Sequence, residues 1–513
     1  MTTKTAGSQL DKSETNFLEK SASYLNEDEL KRVKDALEFA KSAHKGVLRH
    51  SGEPFVIHPL KTALILAQIK AGPVSLCAAL LHDVLEDTET TSADIKKRFG
   101  AEVLTLIESV TKLGTIRIKK GWFPFSKIEE RELPEFERQV ETLRKMLVAM
   151  ARDLRVVLIK FADRIHNLET LNHLRADKIE RIAGEALEIY APIAERLGMG
   201  DWKARLEDLA FPYLYPKEYK KLVENYRPKI KEKEKYLVSV KQKVAKILKE
   251  NTVVADVHFR IKHWYSLYRK IKKSDGDSSK VYDLIAIRIV VGSVEDCYKI
   301  LGLIHREWRP LVGRIKDYVA LPKPNGYRSI HTTVICDGGQ IVEFQIRTRE
   351  MHREAEFGVA AHWLYSEKKS SILPDKEKLK WLIDFSKNHK NISSRELADS
   401  VLADMFQDRI FVYTPTGDAK DLAAGATPVD FAYSVHTELG NHCAGAKING
   451  KIAQISTKLQ NGDFVEIIES KNAKPRADWL GFVKTHLARS QIRHATSKTK
   501  LGTFGRIKKR MRF

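Results

Sequence analysis

Leu76 to Asp87 read LCAALLHDVLED, and this stretch decides the class of the first domain. Six uncharged residues, Leu76 to Leu81, run directly into His82, Asp83, Glu86 and Asp87. On one helix, His82 with Glu86 and Asp83 with Asp87 stand a turn apart on neighbouring stripes, so four polar groups converge at the end of a buried segment. A merely solvent-facing helix does not explain that pattern. Outward from it, apolar residues keep helical spacing to about residue 200, as in Thr62 to Leu66 and Leu187 to Tyr190. Asn26 and Glu29 have the spacing of a capping box, and Leu30, Val33 and Leu37 mark the buried face of the helix it opens. We read an all-α domain over 26–200, with 1–25 expected to be disordered and Gly114 to Pro134, rich in basic and aromatic residues, expected to be a loop. His58 in GEPFVIHP and Asp163 in FADRIHN add the second imidazole and second carboxylate that a divalent transition metal could accept, leaving positions for water and phosphate.

Residues 201–250 read as a helical linker, in which the lysine- and glutamate-rich 217–250 looks like a solvated connecting helix. From 251 to 366 the pattern is α+β. Val281 to Val291 (VYDLIAIRIVV) is a β-branched run typical of a buried strand, and in Val342 to Arg347 (VEFQIR) Glu343, Gln345 and Arg347 alternate with apolar residues. One sheet face is therefore polar, and helices near 295–307 and 350–366 are expected on the other. Asp283 and Glu343 could share a magnesium ion with phosphates, although Asp283 could equally pair with Arg288 or cap a loop. Between them, RIKDY (314–318) and LPKPNGY (321–327) set cations and a tyrosine around a rigid turn, suiting phosphate and a base. A charged linker (367–404) leads to a small strand-rich domain (405–470) with one helix, opened by Thr427-Pro428 and closed by Gly440, and turns at Asn449-Gly450 and Asn461-Gly462-Asp463. Residues 471–513 begin a helical region and end in a cationic tail.

The 513 residues are 43% hydrophobic and 30% charged, with 89 Lys and Arg against 67 Asp and Glu. These proportions exclude collagen-like and largely disordered classes. The absence of a long apolar run predicts no membrane span, and the polar start predicts no secretory signal, making the cytoplasm the expected compartment. Four scattered cysteines disfavour a disulfide framework. The net charge of +22 suits nucleotides, RNA or acidic surfaces.

SGEPFVIHP, LLHDVLEDT and FADRIHNLETL resemble the HD-type hydrolase of the RelA/SpoT family. The resemblance implies that His58, His82, Asp83 and Asp163 hold manganese, that Glu86 and Asp87 activate water on the 3′-pyrophosphate of (p)ppGpp, and that Arg49, Ser51, Asn167 and Thr170 contact the nucleotide. KDYVALPKPNGYRSIHTTV, EFQIRTREMHREAEFGVAAHW and YSLYRKIKK are similar to the family's nucleotidyltransferase-like synthetase, which moves pyrophosphate from ATP to the 3′-OH of GDP or GTP. There Asp283 would bind magnesium, Glu343 would bind metal or activate the hydroxyl, and Tyr327 would stack on guanine. Lys262, Ser266, Lys270, Arg314, Lys316, Lys323, Asn325 and His331 would line the nucleotide sites. Arg314 to Asp317 matches the RxKD pattern of bifunctional members. DRIFVYTPTGDAKDLAAGATPVDFAYSVHTELG resembles the β-grasp TGS module, in which His436 would meet the tRNA 3′ end, so uncharged tRNA and the ribosome are implied partners. The zinc-finger and ACT regions of long members are expected to be missing. The implied protein is a bifunctional (p)ppGpp synthetase and hydrolase. The alternatives are an HD phosphohydrolase with an inactive synthetase domain, and a tRNA- or ribosome-binding sensor with degenerate catalysis.

Overall fold

A computed structural model describes residues 3–114, 142–143, 145–150, 152–273, 284–323, 325–361, 409–485 and 487–496. The chain divides into two units, Met1–Lys390 and Asn391–Phe513. The first unit opens with α1 (Thr3–Ala22), α2 (Glu27–Ala43), α3 (Ile57–Gln68), α4 (Pro73–Leu81) and the single turn α5 (Val84–Asp87). It continues through α6 (Ser92–Phe99), α7 (Ala101–Gly114), α8 (Leu154–Glu169), α9 (Ala176–Glu185), α10 (Ala191–Arg196) and α11 (Gly200–Leu214). The capping box at Asn26 and Glu29 is present and starts α2. Beyond Gly114, the expected loop lies outside the described residues.

Among the described residues, 3–22 are not disordered: they form α1, which packs on α3, with Phe17 fully buried and Ser13 and Ser21 on the same stripe. One aromatic at the centre of a four-residue spacing anchors a segment whose composition reads as polar. Nor is 201–250 a solvated linker. α11 joins the bundle through Trp202, which packs on Phe161, and joins the core of the next domain through Phe211. The 35-residue helix α12 (Pro216–Glu250) buries Leu222, Tyr226, Ile230, Leu237, Val240 and Val244 in the core of the next domain. An amphipathic stripe needs only one residue in three or four, so a charged average conceals it.

That domain holds β1 (Ala255–Ile261), α13 (Trp264–Lys273), β2 (Ile285–Val291), α14 (Val294–Glu307), β3 (Arg309–Pro310), β4 (Lys316–Asp317), β5 (Ile330–Ile335), β6 (Ile341–Thr348) and α15 (Arg349–Phe357). Its sheet runs β1-β2-β6-β5-β3, with β4 also on β5. The β2/β6 pair is parallel and the other pairs are antiparallel. Ile285, Ile287 and Ile289 with Val342, Phe344 and Ile346 form the apolar face, closed by α12 and α14. Alternation and register put Arg260, Arg288, Glu343, Gln345, Arg347 and His331 on the opposite face. α14 covers the apolar face as expected, but α15 does not: its Glu356 reaches Arg288 (2.9 Å) and Arg347 (3.2 Å), so it lies along the polar face. Two half-buried or buried guanidinium groups need a carboxylate there, a demand that periodicity does not reveal.

The helical bundle and the sheet domain meet where two glycines pack backbone against backbone. Gly358 (φ 55°) faces Leu197 and Gly198, and Val359 N–H donates to the Leu197 carbonyl at 2.9 Å.

In the second unit, β7 (Arg409–Tyr413) pairs with β8 (Ala419–Ala423), and β9 (Cys443–Ile448) is flanked by β10 (Lys451–Ala453) and β11 (Val465–Glu469). The expected single helix is two pieces, α16 (Pro428–Val435) and α17 (Thr437–Asn441), because His436 is extended and caps the second. Asn449 (φ 51°) and Gly450 (φ 79°) make the hairpin turn. The fully buried Asp430 accepts from Thr427 N–H (2.8 Å), Lys484 N–H (3.0 Å) and Thr485 N–H (2.7 Å), clasping 479–492 to the sheet domain of this unit. The charged linker (367–404) and the tail beyond 496 lie outside the described residues.

A methyl at Gly358 would overlap the Leu197 carbonyl and disfavour the positive φ. Gly358→Ala should therefore destabilise the first unit by about 3 kcal/mol or more, seen as an earlier thermal transition. An unchanged transition would show that this contact is not needed.

Candidate active sites

A tight hairpin positions one wall of the helical site. Arg49 N–H donates to Glu53 O and Phe55 N–H to Val47 O, both at 2.9 Å, while Gly52 takes φ 81°. Arg49 thereby reaches Asn167 Oδ1 (3.0 Å) and Thr170 Oγ1 (3.3 Å). Ser51 Oγ is buried beside them in sequence without a hydrogen-bond partner. On α8, Asp163, His166 and Asn167 share one helical stripe, which the C-cap residue Thr170 continues seven positions after Asp163. The stripe meets α3, bringing Asp163 Oδ1 to 3.2 Å from His58 Nε2.

His58 Nε2 also lies 3.6 Å from Asp83, and His82 Nε2 lies 3.2 Å from Asp83. His58, His82 and Asp83 offer ligand atoms within 4.8 Å of one another. Contrary to expectation, His82 to Asp87 is not one helix: α4 ends at Leu81, His82-Asp83 form a turn, and α5 restarts at Val84. The break lets His82 Nδ1 donate to the Ala79 carbonyl (2.8 Å), leaving the buried Nε2 lone pair without a hydrogen-bond partner. An orphaned imidazole lone pair beside Asp83 and a second imidazole, His58, fits a divalent cation. Glu86 and Asp87 stand exposed at the rim. Burial, then Asp83 and Glu86, pushes the Asp87 carboxyl up.

Three contributors escaped the sequence reading. Burial alone would push the Asp163 carboxyl up, but Lys160 (2.7 Å) and His58 overcome this and hold it well below its ordinary value. His166 Nδ1 lies 2.8 Å from His58 Nδ1, and burial, then His58, pushes it down to about 2, so it stays neutral. That contact fixes the orientation of His58. His44 is buried against Phe55 with both ring nitrogens unpartnered. The signal for His166 was present in FADRIHN, at three residues from Asp163.

On the polar sheet face, His331 links two expected residues: Tyr327 Oη lies 2.8 Å from Nε2, and Glu343 Oε1 lies 3.0 Å from Nδ1. Burial pushes the His331 imidazole down despite Glu343, so a neutral ring donating from Nδ1 and accepting at Nε2 satisfies both neighbours. Gln345 Nε2 donates to the same Glu343 oxygen at 3.0 Å. A cavity of about 230 Å³ is lined by Arg260, Lys262, Lys316, Lys323, His331 and Glu343, among others. Burial, then Lys316, pushes the Lys323 ammonium down. Its Nζ lies 4.7 Å from the Tyr318 ring and 5.1 Å from Tyr327. Ser266, Asn325 and Tyr327 line an adjoining cleft of about 260 Å³. Lys270 stands one turn after Ser266 on α13. Arg314 is exposed and lines neither cavity. Asp283 lies outside the described residues, and Arg288 is held by Glu356. In the second unit, His436 is exposed and its Nδ1 accepts from Glu438 N–H at 3.3 Å.

The chain matches the HD domain over residues 36–200, the region found in RelA / SpoT proteins over 259–370 and the TGS domain over 410–469. It is 40% identical over 477 residues to a Borreliella burgdorferi protein named guanosine-3′,5′-bis(diphosphate) 3′-pyrophosphohydrolase, covering 93% of this chain and 69% of that one. The chain belongs to the RelA/SpoT family. A GTP pyrophosphokinase of Myxococcus xanthus is 44% identical over 471 residues, which is 92% of this chain and 61% of that protein. An Aquifex aeolicus protein with the same pyrophosphohydrolase name is 44% identical over 468 residues, covering 91% of this chain and 64% of that one. The chain thus spans about three fifths of the length of these two curated relatives. RelA/SpoT membership accounts for the combined all-α, α+β and TGS architecture, and both sites suit divalent metal ions. No described helix is long and apolar enough to cross a membrane.

If the orphaned lone pair at His82 marks a metal centre, removing the partner that orients His58 should weaken it. His166→Leu is expected to reduce Mn²⁺ affinity by about 10–100-fold, measured by titration with electron paramagnetic resonance. An unchanged affinity would exclude that orienting role.

Proposed function

We propose that the chain both makes and degrades (p)ppGpp, transferring pyrophosphate from ATP to the 3′-OH of GDP or GTP and hydrolysing the 3′-pyrophosphate. The observation that carries this reading is the presence of two separate constellations in one unit. His58, His82, Asp83 and Asp163 gather around an orphaned lone pair, while Tyr327, His331 and Glu343 form a hydrogen-bonded chain in a cationic cavity. The names of similar proteins cover both directions of the chemistry.

In the helical site, the four ligands would hold Mn²⁺, which when bound lowers the pKa of water and offsets phosphate charge. Arg49, Ser51, Asn167 and Thr170 orient the nucleotide. Glu86 and Asp87, at the rim, accept the proton of the attacking water. Lys160 and His166 keep Asp163 and His58 in register.

In the sheet site, Asp283 and Glu343 would hold Mg²⁺, which neutralises phosphate oxygens when bound. Lys262, Ser266, Lys270, Lys316 and Lys323 supply donors to phosphates, with Asn325 beside the nucleotide and the exposed Arg314 outside both cavities. Tyr327 stacks on guanine while His331 fixes its hydroxyl, and Glu343 accepts the proton of the 3′-OH. Positioning and electrostatic stabilisation can supply most of the acceleration in such a transfer. We further propose a cytoplasmic protein whose His436, with its Nε2 free of the cap, meets the 3′ end of uncharged tRNA on the ribosome.

Paired assays test the two activities: ATP with GDP or GTP and magnesium, and ppGpp with manganese. Glu343→Gln and Asp283→Ala should each lower synthesis by at least about 100-fold while sparing hydrolysis, and His82→Ala should do the reverse. Loss of both activities in any of the three variants, or absence of synthesis in the parent, would overturn the two-site reading.

A further inference from the structure

The cleft of about 260 Å³ is not built from the sheet domain alone. Arg260, Arg288 and Arg347 form its sheet side, while Asp201, Lys203 and Glu207 come from α11 of the helical bundle. Glu207 is only 4% exposed. Its Oε1 lies 3.7 Å from Lys203 and 4.0 Å from Arg269, but Oε2 is buried with no hydrogen-bond partner. A carboxylate oxygen in that position needs an N–H or O–H donor, and leaving it without one is costly. A phosphate oxygen carries no proton to give and would be repelled. The planar guanidinium groups opposite suit either a base face or phosphate, so the base can lie across the cleft with its edge toward α11.

Resting on the two-nucleotide synthesis proposed above, we infer that Glu207 is a specificity residue supplied by the helical bundle, whose free oxygen accepts a hydrogen bond from the exocyclic amino group of a purine nucleotide. Adenine of the donor and guanine of the acceptor both carry such a group, and inosine nucleotides lack it. In the donor arm a carboxylate opposite the 6-oxo group of inosine would face acceptor with acceptor; in the acceptor arm, where guanine is itself a 6-oxo purine, it would face a C2–H in place of the 2-amino donor. A glutamine there can donate or accept, so Glu207→Gln should relax the choice without removing it from the fold.

Synthesis is measured for the parent and Glu207→Gln with ATP against ITP as donor, and separately with GDP against IDP as acceptor. The parent should prefer the amino form by about tenfold or more in one arm. The variant should bring the kcat/KM ratio of that arm close to one, leaving the other arm and manganese-dependent hydrolysis unchanged. Equal ratios in parent and variant in both arms would overturn the inference. Equilibrium dialysis of the same four nucleotides without manganese reads the same preference as binding. Absence of synthesis in the parent would therefore refute the proposed activity, while the dialysis ratios still decide the role of Glu207.

Discussion

The burial of Asp163 is the constraint around which the helical half is arranged. A carboxylate inside a bundle is tolerated only if charges and donors meet it within a few ångströms. Lys160 and Asn167 do so from its own helix, at 2.7 Å and 2.5 Å, and His58 does so from α3 at 3.2 Å. Spacing on α8 fixes the first two contacts, whereas the third requires α3 and α8 to pack in one register. The same register brings Asn167 and Thr170 under Arg49, so the demand of one buried charge also assembles the neighbouring polar wall.

The sheet domain meets a similar demand differently. Strand alternation puts Arg288 and Arg347 on the polar face, and burial, then Arg288, pushes Arg347 down to about 10. A single carboxylate, Glu356, serves both. Burial would raise its pKa, but Arg288 and Arg347 outweigh that and lower it. Both arginine Nε–H groups remain buried without hydrogen-bond partners. Such an underfilled arrangement gives little stability, because removing charges from water costs as much as pairing returns. Its physical sense lies in leaving donors available at the edge of a cleft.

Much of this was legible because chemistry and periodicity coincided. LCAALLHDVLED announced polar groups at the end of a buried helix, and VEFQIR announced a two-faced strand. The break at His82-Asp83 was not legible, since both residues keep right-handed backbone angles and only the lost helical continuity at the turn reveals it. The packing of α1 hangs on Phe17, and that of α12 on a sparse stripe, so averaged composition pointed the wrong way in both. Glu356 and Glu207 were invisible for another reason. Each belongs to a charged helix and gains its role only from a partner surface distant in sequence.

α11 brings the two halves into one geometry. Arg205 and Glu207 are two residues apart, about 200° around a helix, and so point to opposite sides. Arg205 reaches Glu169, the last residue of α8 and the neighbour of Thr170, at 3.1 Å. Glu207 lines the cleft against the sheet. Between them, Trp202, Leu206 and Phe211 are almost wholly buried, so the helix is held along its length by close-packed side chains. One rigid helix thus contacts both the end of α8, through Arg205, and the cleft, through Glu207.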